Sequence, residues 1–282
     1  VTLAREHALS PQAFRRRYVA TRRPVVLTGI AETWPAVKGW TPESLGARLP
    51  DATVRYVERE LPREGPLASS VLAAAQTRRR SECSLREFVS RMDARDGCAR
   101  YVIVSPLVQQ HAALQRDLGS LADYQFAPWV PAGLRRWLDK GPMFWMGPAD
   151  LSSPLHLDVE HNLFVQIHGR KDWLLLPPEE GPNVYFPWRE HPAELLHWSP
   201  VDPDAPDLAR FPRYAGVRPL RVTLHPGEIL FVPSGWWHVV RYREPAISVN
   251  HFWLAPWASS VGCRRLHVER WRRRLAGAAA TS

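Results

Sequence analysis

Leu224-His225-Pro226-Gly227-Glu228-Ile229-Leu230-Phe231-Val232-Pro233-Ser234-Gly235-Trp236-Trp237-His238 is the stretch on which the fold turns. Ile229 to Val232 is an unbroken apolar run, short enough for a strand buried on both sides. The Pro226-Gly227 and Pro233-Ser234-Gly235 segments around it are tight-turn signals. Working outward, the same grammar holds from Met143 onward. Short apolar runs at Met143–Met146, Asn162–Ile167, Trp173–Leu176, Arg221–Leu224, Ile229–Val232, Trp237–Tyr242 and Ala246–Trp253 are separated by Pro, Gly and Asp. This rhythm predicts an antiparallel sandwich or barrel. Residues 177–219 are proline-rich and polar with little periodicity, so they read as a long excursion on the barrel surface, a place where substrate contacts are expected.

Upstream, the chain alternates helices and strands. Ser10-Pro11, Thr41-Pro42 and Ser84 are capping signals for helices, the first carrying Phe14 and Tyr18 and the last placing Leu85, Phe88, Val89 and Met92 on one face. Val25–Leu27 and Arg100–Val104 read as strands, and Pro128 and Pro131 break the helical pieces between Leu114 and Leu138. Beyond Trp257, Val261, Val268, Trp271 and Leu275 share one face of an amphipathic helix, and the arginines lie mostly on the other.

Composition narrows the class. Of 282 residues, 45% are hydrophobic and 13 are Trp, which excludes an intrinsically disordered chain. No apolar run approaches the ~18 residues of a membrane span. Val1–Leu9 lacks the pattern of a secretion signal, so a cytoplasmic protein is the expectation. Cys83, Cys98 and Cys263 are odd in number and widely spaced, which fits free thiols. The net charge of +9 is almost all arginine, because lysine occurs only at 38, 140 and 171. It reads either as affinity for an acidic partner such as nucleic acid or as codon bias.

Ser153-Pro154-Leu155-His156-Leu157-Asp158 holds the chemistry. Residues two apart on a strand project from one face, so His156 and Asp158 can converge on one ion. His238, delivered by the turn after Ile229–Val232, supplies a third donor. Two imidazoles and a carboxylate on one side of an ion make the facial triad of non-haem iron(II), with positions left open for reactants; a structural zinc site would be closed by a fourth protein ligand. His161 has the wrong parity to join them, and His168 sits at the Gly169 turn.

The run from Ser153 through Asn162-Leu163-Phe164-Val165-Gln166-Ile167-His168-Gly169-Arg170-Lys171 to Pro177-Pro178, followed by Pro226-Gly227-Glu228 and Trp236-Trp237-His238, resembles the JmjC (cupin-like) 2-oxoglutarate oxygenases. The likeness is to the subgroup of the asparaginyl hydroxylase that inhibits hypoxia-inducible factor. Arg23-Pro24-Val25-Val26-Leu27-Thr28-Gly29 and Trp34-Pro35-Ala36 resemble its N-terminal region, so the match runs from about residue 10 to 255.

The resemblance implies a mainly β fold with flanking helices: a double-stranded β-helix (jelly roll, cupin) core, a helical N-terminal region and a C-terminal helix. It implies one oxygenase domain over residues 1–255, with a helix-and-strand part at 1–142 and the β core at 143–255, then the helix at 256–282. The cofactors implied are Fe(II), held by His156, Asp158 and His238, and 2-oxoglutarate, whose far carboxylate goes to Lys171 helped by Ser153. Asn162 and Asn250 correspond to polar residues of the cosubstrate pocket, and Tyr101 to a tyrosine that also reaches the carboxylate. The activity implied is hydroxylation of a protein or peptide side chain with decarboxylation of 2-oxoglutarate to succinate and CO2. An RNA hydroxylase and a small-molecule hydroxylase are the alternatives. A lysine demethylase or a non-catalytic binding module ranks below them, and the C-terminal helix suggests either a homodimer or a cover for the sheet.

Overall fold

A computed structural model of the chain describes residues 3–60, 79–93, 98–187 and 197–254, with Asp96, Val268 and Arg272 besides. The strands among them are β1 (Arg5–His7), β2 (Val25–Thr28), β3 (Thr53–Glu60), β4 (Arg79–Ser84), β5 (Cys98–Ser105), β6 (Asp139–Gly147), β7 (His156–Leu157), β8 (His161–His168), β9 (Lys171–Leu176), β10 (Leu220–Leu224), β11 (Ile229–Val232), β12 (Trp237–Tyr242) and β13 (Ala246–Trp253). One sheet has the order β1-β2-β11-β8-β13-β6-β5-β3-β4 and the other the order β10-β9-β12-β7. From β6 to β13 the chain winds between them, giving β6, β8, β11 and β13 to the large sheet and β7, β9, β10 and β12 to the small one. Pairing among these eight strands is antiparallel throughout. This is the double-stranded β-helix, and the strands expected between Met143 and Trp253 all form, several of them a few residues longer.

The two-residue period of a strand explains how each is used. Along β9, Trp173 and Leu175 pack between the sheets against Phe164, Leu230 and Val232. The alternate Leu174 and Leu176 face outward onto Val184, Phe186, Val201, Phe211 and Tyr214. The expected excursion therefore carries its own apolar cluster, which seals the outer face of the small sheet. On the large sheet, Leu163, Val165 and Ile167 of β8 pack outward against Phe14, Leu45, Leu85 and Phe88. Those last four side chains come from the capped N-terminal helices. The Ser10 side chain accepts from Ala13 N–H, Thr41 and Ser44 cap each other reciprocally, and Ser84 accepts from Glu87 N–H.

Three strands, β1, β3 and β4, carry no clear signal in the sequence. β4 is the edge of the large sheet and carries Arg79, Arg80 and Glu82. A charged edge blunts unwanted pairing and hides the apolar alternation by which strands are recognised. Beyond residue 254 only Val268 and Arg272 are described, both helical. The expectation of a dimer-forming C-terminal helix, and Cys263, lie outside the described residues.

Candidate metal centre

β7 and β12 pair so that His238 lies directly opposite His156. Their rings face each other with centroids 4.1 Å apart. His156 Nδ1 lies 2.8 Å from Pro154 O, and His238 Nδ1 lies 3.0 Å from Trp236 O. A carbonyl only accepts, so each Nδ1 carries the proton and each Nε2 presents a lone pair. Asp158 sits one residue past the end of β7 rather than within it. Its place is held by Gly235 N–H, which donates to Asp158 O at 2.8 Å. Asp158 Oδ2 is 3.6 Å from His238 Nε2, and one donor atom from each of the three residues lies within 4.8 Å of the others.

Burial holds His238 well below the usual imidazole range, with neighbouring His156 adding to the effect, so its ring is neutral. Burial raises the Asp158 carboxyl, and His156 opposes that rise. The neutral His238 imidazole beside a desolvated carboxylate leaves a place for a cation between them. Among the described residues no fourth His, Cys, Asp or Glu joins the cluster. The donor set fits a first-row metal bound on one face.

The triad opens into a cavity of about 250 Å³ whose walls also hold Tyr101, Ser153, Asn162, Lys171 and Asn250. Lys171 begins β9 just after the Gly169 turn and is 1% exposed. Its ammonium donates to Ser248 Oγ at 2.8 Å and lies 3.9 Å from the Tyr242 ring centroid and 5.0 Å from that of Phe164. Among the described residues no carboxylate pairs with it, and burial pushes its pKa well down. A buried lysine without a counter-ion is costly unless an anionic ligand supplies one. Asn162 and Asn250 are also buried, and each has an amide oxygen with no hydrogen-bond partner among the described residues. Ser153 Oγ accepts from Val240 N–H at 2.9 Å, which leaves its own proton to donate. A cation, amides short of partners and hydroxyls around one pocket fit a dicarboxylate such as 2-oxoglutarate.

Over residues 11–258 the sequence matches the family model described as a cupin-like domain. The chain belongs to the cupin-like JmjC domain family. An HSPB1-associated protein 1 homolog of Danio rerio is 32% identical over 257 residues, covering 86% of this chain and 54% of that protein. Lysine-specific demethylase 8 of Xenopus tropicalis is 29% identical over 255 residues, covering 88% and 52%. The bifunctional peptidase and (3S)-lysyl hydroxylase JMJD7 of Homo sapiens is 29% identical over 264 residues, covering 86% and 81%. The chain thus spans about half the length of the first two and most of the third.

Other features of this JmjC domain divide between core and cavity. His161 is 4% exposed, accepts Ser234 N–H at 3.0 Å through Nδ1 and packs on Phe231 and Trp253, so it serves the core. Trp236, Trp237 and Trp253 are core residues too. Trp145 and Trp173 reach the cavity wall, joined by His197 and Trp198 from the middle of the excursion. Sequence reasoning misses His197 and Trp198 because nothing periodic marks a loop that returns to the site. Ser248 could have been found: it lies two residues before Asn250 on β13 and so shares its face. No helix among the described residues is long and apolar enough to cross a membrane.

Proposed function

We propose that this JmjC domain is an Fe(II)- and 2-oxoglutarate-dependent dioxygenase that hydroxylates a protein or peptide side chain. The observation that carries the reading is the single cavity in which a one-sided His-Asp-His cluster occurs together with a buried lysine that has no carboxylate partner among the described residues. His156, Asp158 and His238 would hold the iron, and the open side would take the cosubstrate. Bound there, iron and 2-oxoglutarate supply the oxidising chemistry: one atom of dioxygen goes to the substrate C–H and the other to succinate, with release of CO2.

The protein's own residues bind and orient. Lys171 pairs with the far carboxylate of 2-oxoglutarate, and Ser153 and Tyr101 donate hydroxyl hydrogen bonds to it. Asn162 and Asn250 present amides to the cosubstrate. The hydrogen bonds from each imidazole Nδ1 to a backbone carbonyl fix both rings, which is the outer support that metal-bound histidines require. Trp173, Phe164 and Tyr242 make the walls apolar around the Lys171 charge and so strengthen its pairing.

A protein target is favoured because one relative is named a lysyl hydroxylase. Another is named a lysine demethylase, and removal of an N-methyl group would begin with the same hydroxylation. The free thiol of Cys83 suits a reducing compartment, which we take to be the cytoplasm. The test is succinate release with Fe(II) and 2-oxoglutarate, followed by mass spectrometry of lysate proteins and tRNA. A gain of one oxygen on protein supports the proposal, gain on tRNA moves the substrate to RNA, and loss of a methyl group shows demethylation. Absence of succinate under all conditions refutes the enzyme reading.

A further inference from the structure

The catalytic cavity has a neighbour. A groove of about 670 Å³ lies over β3, β4 and the end of β5, and it shares two wall residues with the cavity, Ile103 and Val104. Val104 is 50% exposed and stands on the rim between them. Its φ is +47°, a conformation that a β-branched side chain strongly resists.

The backbone there is as unusual as the side chain. Val102 pairs with Tyr56 on one side and Met146 on the other, and pairing to β6 resumes only at Ser105 opposite Phe144. Among the described residues, neither ladder gives Ile103 or Val104 a partner. A bulge of this kind leaves main-chain donors and acceptors at the rim of a site, where an extended chain can add to the sheet. A strained residue beside a reaction centre is a reason to look for function.

The groove also has a charge. Arg55 and Glu82 pair across β3 and β4, and Arg80 is exposed beside them opposite Val57. Among the described residues, two arginines against one glutamate line the groove, a net positive charge.

We propose that Ile103 and Val104 form a docking step for an extended polypeptide substrate. Its target side chain enters the catalytic cavity and an acidic residue on one flank lies toward Arg80. This deepens the proposed hydroxylase reading and rests on it. It requires that recognition use the substrate main chain, so the substrate is a segment of polypeptide and free amino acids are poor substrates.

The test uses the full chain with Fe(II) and 2-oxoglutarate, and libraries of nine-residue, end-blocked peptides with each residue type in turn fixed at the centre. Flanking positions carry either Asp and Glu or Lys and Arg, and the readout is one-oxygen gain by mass spectrometry. Acidic flanks are expected to win by roughly fivefold, and Arg80→Glu is expected to reverse the order. Val104→Gly relieves the φ strain and therefore folds. It is expected to raise the KM for the best peptide roughly tenfold while leaving the cosubstrate KM unchanged. Turnover of free amino acids equal to that of peptides, preference for an RNA oligonucleotide, a flank preference indifferent to Arg80→Glu, or an unaltered peptide KM in Val104→Gly would each overturn the docking step. Loss of all 2-oxoglutarate turnover in the unmodified chain would instead strike the underlying hydroxylase reading.

Discussion

His156 and His238 are bound to the fold by the same device: each donates from Nδ1 to the carbonyl of the residue two positions before it, Pro154 and Trp236. Because β7 and β12 place the two residues opposite one another, the free Nε2 atoms converge without either ring having to turn. His156→Ala or Asp158→Ala should therefore remove metal affinity by at least ~100-fold, since loss of outer support alone costs 10- to 100-fold. Metal titration by calorimetry under anaerobic conditions checks it. Tight binding retained in both variants would place the metal elsewhere.

Lys171 should behave as a ligand-binding charge rather than as part of the fold. Lys171→Met is expected to leave metal binding intact and to raise the cosubstrate KM about 10- to 100-fold, the equivalent of roughly 1.5–3 kcal/mol for a charge-assisted hydrogen bond. It should also raise the melting temperature of the ligand-free protein while abolishing further stabilisation by 2-oxoglutarate. The sign follows from burial: the folded lysine binds its proton less tightly than the unfolded one, whose pKa is ~10.4. Its contribution to stability therefore grows more unfavourable as pH falls below that value and disappears with the amine. A melting temperature lowered by Lys171→Met would show a structural role instead.

Ser248 tests whether the ammonium is held in place. Ser248→Ala removes the hydroxyl to which the Lys171 ammonium donates and is expected to weaken 2-oxoglutarate binding about two- to tenfold, the range of roughly 0.5–1.5 kcal/mol. Calorimetric titration of the manganese-loaded protein with 2-oxoglutarate measures this without turnover, and unchanged binding would show that the ammonium needs no such support.

How much of this is legible in the sequence depends on what surrounds each residue. The strands of the core are legible because Ile229–Val232 and Leu174–Leu176 are uniformly apolar between turn residues. Capped helices are legible because Ser10, Thr41 and Ser84 signal locally. The triad and its cavity partners emerge from motif order, and the structure brings His156, Asp158, His238, Lys171, Ser153, Asn162, Asn250 and Tyr101 to one cavity. What escapes are contacts set by long-range register. β3 and β4 are disguised by charge, and the Ile103–Val104 bulge exists only because β5 slips against β6. Trp198 reaches the site through an isolated bridge to His156 that no local pattern announces.

Gly169 links sequence to site through its backbone. Its φ is +68°, and a Cβ there would stand 2.4 Å from Pro245 O. Gly169→Ala should destabilise the fold by more than the roughly 1–3 kcal/mol of a strained non-glycine residue, because the clash adds to the conformational cost. Denaturant unfolding measures the loss. A stability change within error would mean that the β8–β9 turn can relax.

Two buried histidines set the acid limit. Burial lowers both His161 and His251 to about 4. The unfolded forms take protons near ~6.5 while the folded forms do not, so stability should fall as pH drops from ~6.5 toward ~4, by up to about 3 kcal/mol for each group. Urea midpoints across that range check the sign, and a midpoint rising on acidification would contradict it.

The most direct test is a crystal structure of the chain soaked anaerobically with manganese(II) and 2-oxoglutarate, the metal located by its anomalous signal. A single ion held by His156 Nε2, Asp158 and His238 Nε2 is expected, with the far carboxylate of 2-oxoglutarate on Lys171. An ion sealed by a fourth protein donor, or a cosubstrate lying away from Lys171, would contradict it.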